Sequence, residues 1–137
     1  MEQFSSEQLD REVYYLLSYH EGKENAIERW AMVEKIFGQA VPLHLRNDDN
    51  IQDREIRFAV GRLRAKGYLI CDLGDGHGRY LAANESEFWE LYNYYLKPIR
   101  SRSAILHAMK KSAARRWPNV LQMSLFNLDE IETGVMS

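Results

Sequence analysis

The sequence lacks several features that define large classes of protein. Its single cysteine, Cys71, excludes an internal disulfide and favours a reducing compartment. It contains no apolar run of about 18 residues, so no membrane-spanning helix is expected. The chain opens with MEQFSSEQLD, which is polar and acidic, unlike a signal peptide. A cytoplasmic location fits these absences best.

Catalytic signatures are also missing. The histidines are scattered, without an H-E-x-x-H pattern or a cysteine pair, so a metal site is not expected. The segment GDGHG, residues 74–78, lacks the P-loop lysine and stands between two predicted strands. Cys71 has no neighbouring base, and no serine lies in a G-x-S-x-G pattern. We expect a protein without enzymatic activity, metal or cofactor.

Positive charge is concentrated in the middle of the chain. The 137 residues carry a net charge of −2 and are 45% hydrophobic, enough for one domain with extensions. Residues 1–50 and 117–137 sum to −5 and −3, whereas residues 51–83 and 84–116 sum to +2 and +4. A local basic surface attracts DNA more strongly than the net charge indicates, although a merely solvated face is the alternative.

Two helices are predicted in the first third of the chain. Ser5 and Gln8 form a capping-box pattern that opens the first helix, which should end near Tyr19. Asn25 is expected to cap the second helix, and Gly38 to end it. The predicted buried faces are Leu9, Val13, Leu16 and Leu17 in the first helix, and Ile27, Trp30, Val33 and Phe37 in the second.

The segment DREIRFAVGRLRAKG, residues 53–67, is predicted to form a third helix. Asn50 or Asp53 is expected to cap it, and Gly67 to end it. Its apolar positions at helical spacing are Ile56, Val60 and Leu63. Another face carries Arg54, Arg57, Gly61 and Arg64.

A two-stranded hairpin is predicted directly after this helix. Its strands are expected at residues 68–73 and 79–83, joined by the GDGHG loop, whose conformation glycines adopt easily. A short extended piece at residues 43–45 is expected to pair with these strands. The small sheet would then have two or three strands.

The stretch from about Gly22 to Ala83 resembles a winged helix-turn-helix domain. KENAIERWAMVEKIFG is similar to the first helix of that motif, DREIRFAVGRLRAKG to its recognition helix, and the GDGHG hairpin to its wing. The same pattern is similar to small winged-helix proteins of bacterial phages and mobile elements. The resemblance implies an α+β, mostly α fold in which a winged domain is followed by a long C-terminal helix.

The resemblance also implies DNA contacts from the third helix and the wing. The candidate residues are Gln52, Arg54, Arg57, Gly61, Arg64, Lys66, His77 and Arg79. The first three would face base edges, since the arginine fork matches the two acceptors of guanine. The glycine would allow close backbone approach, and the remaining cations would meet phosphates or the neighbouring groove. The alternative is that individual arginines pair with acidic residues inside the protein.

A long helix is predicted from Glu85 to about Arg115, capped by Asn84 and kinked at Pro98. Its apolar positions form a short coiled-coil seam that Arg102 interrupts: Phe88, Tyr92, Tyr95, Ile99, Leu106 and Met109. Either this seam packs on the first helix, or its distal half pairs with a second copy in a homodimer.

The chain after residue 117 has no positive charge and weak periodicity, and is predicted to be mostly flexible. The peptide Gln122, Met123, Ser124, Leu125 and Phe126 resembles the bacterial sliding-clamp-binding motif Q-L-[SD]-L-F. The resemblance implies an extended peptide whose apolar side chains enter a groove while Gln122 bonds at the rim. A short segment that caps the core is the alternative.

These expectations divide the chain into a winged-helix domain at 1–83, a packing or dimerisation helix at 84–116 and an acidic tail at 117–137. We expect a DNA-binding protein that acts in transcription regulation, or in replication of a bacterial or mobile-element genome. A winged-helix protein-interaction module without DNA binding is the alternative. Neutralisation of Arg54, Arg57 and Arg64 by acidic partners inside the protein would favour that alternative.

Overall fold

The computed structural model describes residues 4–122, and the side chains of residues 4–120. It is α+β and mostly helical, as expected. The α-helices and strands are α1 (Ser6–Leu17), α2 (Arg29–Phe37), α3 (Ile51–Ala65), β1 (Ile70–Cys71), β2 (Tyr80–Leu81) and α4 (Glu85–Arg116). Short 3₁₀ turns occupy Lys23–Asn25, Leu43–Leu45 and Pro118–Gln122.

Helix α1 begins with the predicted capping box. The hydroxyl of Ser5 accepts from the backbone N–H of Gln8, and the Gln8 side chain accepts from the Ser5 N–H. These two bonds satisfy backbone donors that the first helical turn leaves unpaired. The buried face contains Leu9 and Val13 as predicted, and the helix ends at Leu17, two residues earlier than expected.

The prediction that Asn25 caps the second helix is wrong. Helix α2 begins at Arg29, and the carboxylate of Glu28 caps it by accepting the N–H groups of Trp30 and Ala31. Ile27 lies before the helix, where its N–H and carbonyl exchange two 2.9 Å bonds with Arg79. This long-range backbone pairing replaces the extra helical turn that the local pattern favours.

The extended piece expected at residues 43–45 is also wrong. Leu43–Leu45 is a 3₁₀ turn, in which the N–H of Leu45 donates to the carbonyl of Pro42. Glu21 and Ile27 instead form isolated bridges with Leu81 and Arg79 at the edge of the hairpin. Residues that precede α2 therefore take part of the place of the edge strand predicted at residues 43–45.

Helix α3 builds the core of the first 91 residues. Asn50 caps it through a bond from the N–H of Asp53 to its side-chain oxygen. The predicted apolar positions are all buried, and they belong to one cluster with residues of α1 and α2: Leu9, Val13, Leu17, Met32, Val33, Ile56, Ala59, Val60 and Leu63. Burial of this apolar stripe fixes which face of α3 remains outside.

The hairpin is shorter than expected, because only two residue pairs form the antiparallel ladder. Ile70 is opposite Leu81, and Cys71 is opposite Tyr80. The returning strand passes close to the residues before α2 at Gly78, whose φ is +92°. A Cβ at Gly78 would lie 2.7 Å from the carbonyl carbon of Ile27. Glycine is required here for both reasons.

The chain divides into two compact units, residues 1–91 and residues 92–137. Helix α4 contributes its first turns to the first unit and the rest to the second, and continues through Pro98. Within the described residues, no helix has both the length and the apolarity needed to cross a membrane.

Candidate nucleic-acid interface

A buried carboxylate organises the N-terminal half of α3. Asp53 is completely buried and accepts bonds of 3.0 and 2.7 Å from Nε and Nη2 of Arg29. It also accepts a 3.1 Å bond from Nε of Arg57. Two guanidinium groups, one from α2 and one from α3, therefore share one carboxylate inside the fold.

Asp48 completes this cluster from the surface. Its Oδ1 lies 2.8 Å from Nη2 of Arg29, and its carbonyl oxygen accepts a 2.7 Å bond from Nη2 of Arg57. The hydrogen bond from Arg29 lowers the pKa of the Asp48 carboxyl. Bonding to Asp53 correspondingly raises the pKa of Arg29. Arg57, predicted to read bases, is thus engaged in holding the loop before α3 against the helix.

Two further candidate arginines have structural partners. Nε of Arg64 donates a 2.8 Å bond to the carbonyl of Ile70, which ties the end of α3 to β1. Arg79 is 4% exposed, and its Nε lies 3.1 Å from Oδ2 of Asp72. Burial lowers the pKa of Arg79. Neither guanidinium is placed as an exposed contact for DNA.

The remaining candidates are more accessible. The Arg54 side chain is 49% exposed, with the carboxylate of Asp49 at 3.9 Å. Lys66 and Gly61 are exposed, and Gln52 is half-buried. The other exposed candidate is His77, whose Nδ1 lies 3.0 Å from Asp75. These residues retain surface that a ligand can reach.

The outer surface of α3 is more apolar than its arginine content indicates. Ile51 is 69% exposed and Phe58 is 61% exposed. They are seven residues apart and therefore share one face of the helix. Two acidic side chains, Asp48 and Asp49, are exposed just before the helix begins. In the unbound protein, the surface at this end of α3 is thus less positive than the sequence predicts.

Positive charge without acidic partners is concentrated at the start of the second unit. Residues 92–122 contain seven basic residues and no acidic residue: Lys97, Arg100, Arg102, Lys110, Lys111, Arg115 and Arg116. All of these lie on α4, and all except the half-buried Lys110 are exposed. The first unit has 11 basic and 17 acidic residues, and many of its arginines are paired. The predicted site residues did not include the α4 cations, although the charge count over 84–116 already pointed to them.

Helical spacing places four of these cations on one side of α4. Lys97, Arg100, Lys111 and Arg115 fall within a narrow sector when each residue advances by about 100°. Ile99, Leu106 and Met109, which belong to the predicted seam, are exposed on the other side. We call residues 97–116 of α4 the basic segment.

The remaining predictions concern metal ligands, Cys71 and the clamp-like peptide. Within the described residues, no group of three histidine, cysteine or acidic side chains is placed to hold a metal ion. Cys71 is buried, and this burial raises the pKa of its thiol to about 11. In the clamp-like peptide, Gln122 ends the last 3₁₀ turn, while Met123, Leu125 and Phe126 lie outside the described residues.

Comparisons of the chain with protein-family models, with curated proteins and with solved structures find no match.

Proposed function

We propose that this protein binds nucleic acid, with the basic segment of α4 as its main contact with phosphates. This proposal rests on the seven cations between Lys97 and Arg116, in a stretch from residue 92 to residue 122 that contains no acidic residue. A helical segment that carries positive charge only is the electrostatic footprint of a nucleic-acid-binding protein. The paired arginines of the first unit cannot supply this attraction to the same extent.

The first unit is proposed to be a winged helix-turn-helix domain that positions the protein on duplex DNA. The order of three helices, a strand, a glycine-rich loop and a returning strand supports this assignment. Arg54 and Gln52 are the remaining candidates for base contacts at the start of α3. The resemblance implies a role in transcription regulation, or in replication of a bacterial or mobile-element genome. The same proposal includes binding of the peptide at residues 122–126 to a bacterial sliding clamp.

The test compares two matched double variants. Arg100→Gln/Lys111→Gln removes two cations from the basic segment, and Arg54→Gln/Lys66→Gln removes two exposed cations from α3 and its C-terminal cap. Affinity for a short fluorescent duplex is measured by anisotropy at several salt concentrations. Each lost phosphate contact should reduce the slope of log K against log salt by about 0.9. The α4 variant should therefore lose up to about 1.8 of slope, and the α3 variant clearly less.

Two outcomes would contradict the proposal. If the α3 variant flattens the salt dependence and the α4 variant does not, the phosphate contacts lie on α3. If the wild type fails to bind duplex or single-stranded DNA, or RNA, even at about 50 mM salt, the protein does not have this function.

A protein-interaction module is the second candidate, because the exposed face of α3 carries Ile51 and Phe58. Neutralisation of Arg57 by Asp53 also favours this alternative over base reading by the same helix. Large apolar side chains that remain exposed on a helix are typical of a protein contact. Phe58→Ser should then abolish partner binding without changing the thermal unfolding temperature, and sedimentation would show whether that partner is a second copy.

A further inference from the structure

An open cavity lies between the start of α2, the start of α3 and the hairpin loop. Its volume is about 380 Å³, and three guanidinium side chains reach it, from Arg29, Arg57 and Arg79. The cavity is also lined by the loop glycines Gly74, Gly76 and Gly78. All of these residues belong to the first unit.

The charges around the cavity balance without Asp48. Asp72 pairs with Arg79, and Asp53 is shared by Arg29 and Arg57. Glu28 also lines the cavity and offsets the remaining guanidinium charge, while its two carboxylate oxygens accept the N–H groups that open α2. The carboxylate of Asp48 therefore contributes an additional negative charge at Arg29.

Asp48 differs from the other acids in how weakly it is held. Its side chain is 85% exposed, and within the described residues its carboxylate bonds to Arg29. An ion pair with so much water access contributes little to stability. Arg29, by contrast, is fixed by two bonds to buried Asp53 and by its position 4.5 Å above the Trp30 ring. The Arg29 guanidinium is therefore held in place, whereas the Asp48 carboxylate that accepts its bond is easily displaced.

We propose that this cavity is a binding site for a backbone phosphate of nucleic acid, and that the Asp48 carboxylate occupies it in the unbound protein. This inference rests on the proposed function. A phosphate oxygen would replace Oδ1 of Asp48 as the acceptor for Nη2 of Arg29. The loop glycines have no side chains to block a bulky sugar-phosphate chain. Arg57 keeps its bond to the Asp48 carbonyl, so the loop retains its attachment when the carboxylate leaves.

The experiment compares Asp48→Ala with Asp49→Ala, a neighbouring loop residue with the same charge and even greater exposure. Duplex affinity is measured by anisotropy over a range of salt concentrations. Asp48→Ala should bind up to about fivefold more tightly at low salt, since an exposed ion pair is worth at most about 1 kcal/mol. Its salt slope should stay close to that of the wild type, because the same phosphate occupies the site in both complexes. Asp49→Ala should change the affinity less.

A second measurement separates this site from the proposed function. The Nε–Hε resonance of Arg29 is followed by NMR during titration with inorganic phosphate, in the wild type and both variants. A larger shift in Asp48→Ala than in Asp49→Ala supports the site even if the protein does not bind DNA. Equal duplex affinities for the two variants, or an Arg29 resonance that does not shift with phosphate in Asp48→Ala, would overturn the inference.

Discussion

Replacement of Asp53 by asparagine tests the structural role of the arginines directly. The substitution keeps the size of the side chain and its position in the first turn of α3. It removes the negative charge that accepts two bonds from Arg29 and one from Arg57. An amide also presents an NH₂ group toward guanidinium donors, which cannot accept it.

The cost of this change can be worked out from the geometry. Breaking a fully buried ion pair costs about 3–5 kcal/mol, because the remaining charge is left without compensation. Here the carboxylate is completely buried, whereas the side chains of Arg29 and Arg57 are 34% and 41% exposed. Water can therefore solvate part of the released charge, and we expect a loss of about 2–4 kcal/mol in the free energy of unfolding.

Urea unfolding followed by far-UV circular dichroism measures this loss. Asp49→Asn is the matched control, because it removes a carboxylate four residues away that is almost fully exposed. The control should change stability by no more than about 0.5 kcal/mol. A loss for Asp53→Asn that equals the control would refute the conclusion that the arginines of α3 are held by internal pairing.

Substitutions in three other places, the hairpin loop, Cys71 and Asp10, have defined outcomes. Gly78→Ala should destabilise the fold by at least about 3 kcal/mol, since its Cβ would collide with the backbone of Ile27. Gly76→Ala has a similar positive φ but meets no described atom within 4 Å, so thermal unfolding should show a loss of only about 1 kcal/mol. Burial raises the pKa of Cys71 from 9.0 to about 11, so the unfolded chain ionises first and stability should fall as pH rises from 9 to 11. Cys71→Ser should lack that part of the decline in pH-dependent urea unfolding, and an unchanged decline would contradict the burial effect. Asp10→Asn breaks the bidentate contact with Arg62 of α3 and should lower the free energy of unfolding by about 1–2 kcal/mol in urea unfolding. An unchanged free energy of unfolding would show that this contact contributes as little as an exposed ion pair.

The fold was predictable where a local pattern and the core agree. The capping box at Ser5 depends only on residues three positions apart in the sequence. The stripe of Ile56, Val60 and Leu63 is buried in the core, as its helical spacing predicts. The cap of α2 was not predictable in this way, because the local preference favours Asn25 as an N-cap, whereas Glu28 caps the helix. Backbone pairing between Ile27 and Arg79, which are distant in sequence, decides between them.

The candidate site was less predictable, because charge partners are a property of the tertiary structure. The arginine pattern of α3 is visible in the sequence, but the pairing of Arg29 with Asp53 spans 24 residues. A buried aspartate in the first turn of a helix has the same sequence signature as an exposed one. The basic segment of α4, in contrast, needs no structure to be found, since the absence of acidic residues from 92 to 122 is evident from composition.

Mapping the contact surface tests the central claim most directly. Backbone amide resonances of the full chain are compared by NMR with and without a short duplex at low salt. The proposed function predicts the largest shifts in residues 97–116 of α4, with smaller shifts at Arg54 and the hairpin loop. Shifts confined to the first half of α3, with α4 unchanged, would contradict the assignment of phosphate binding to the basic segment.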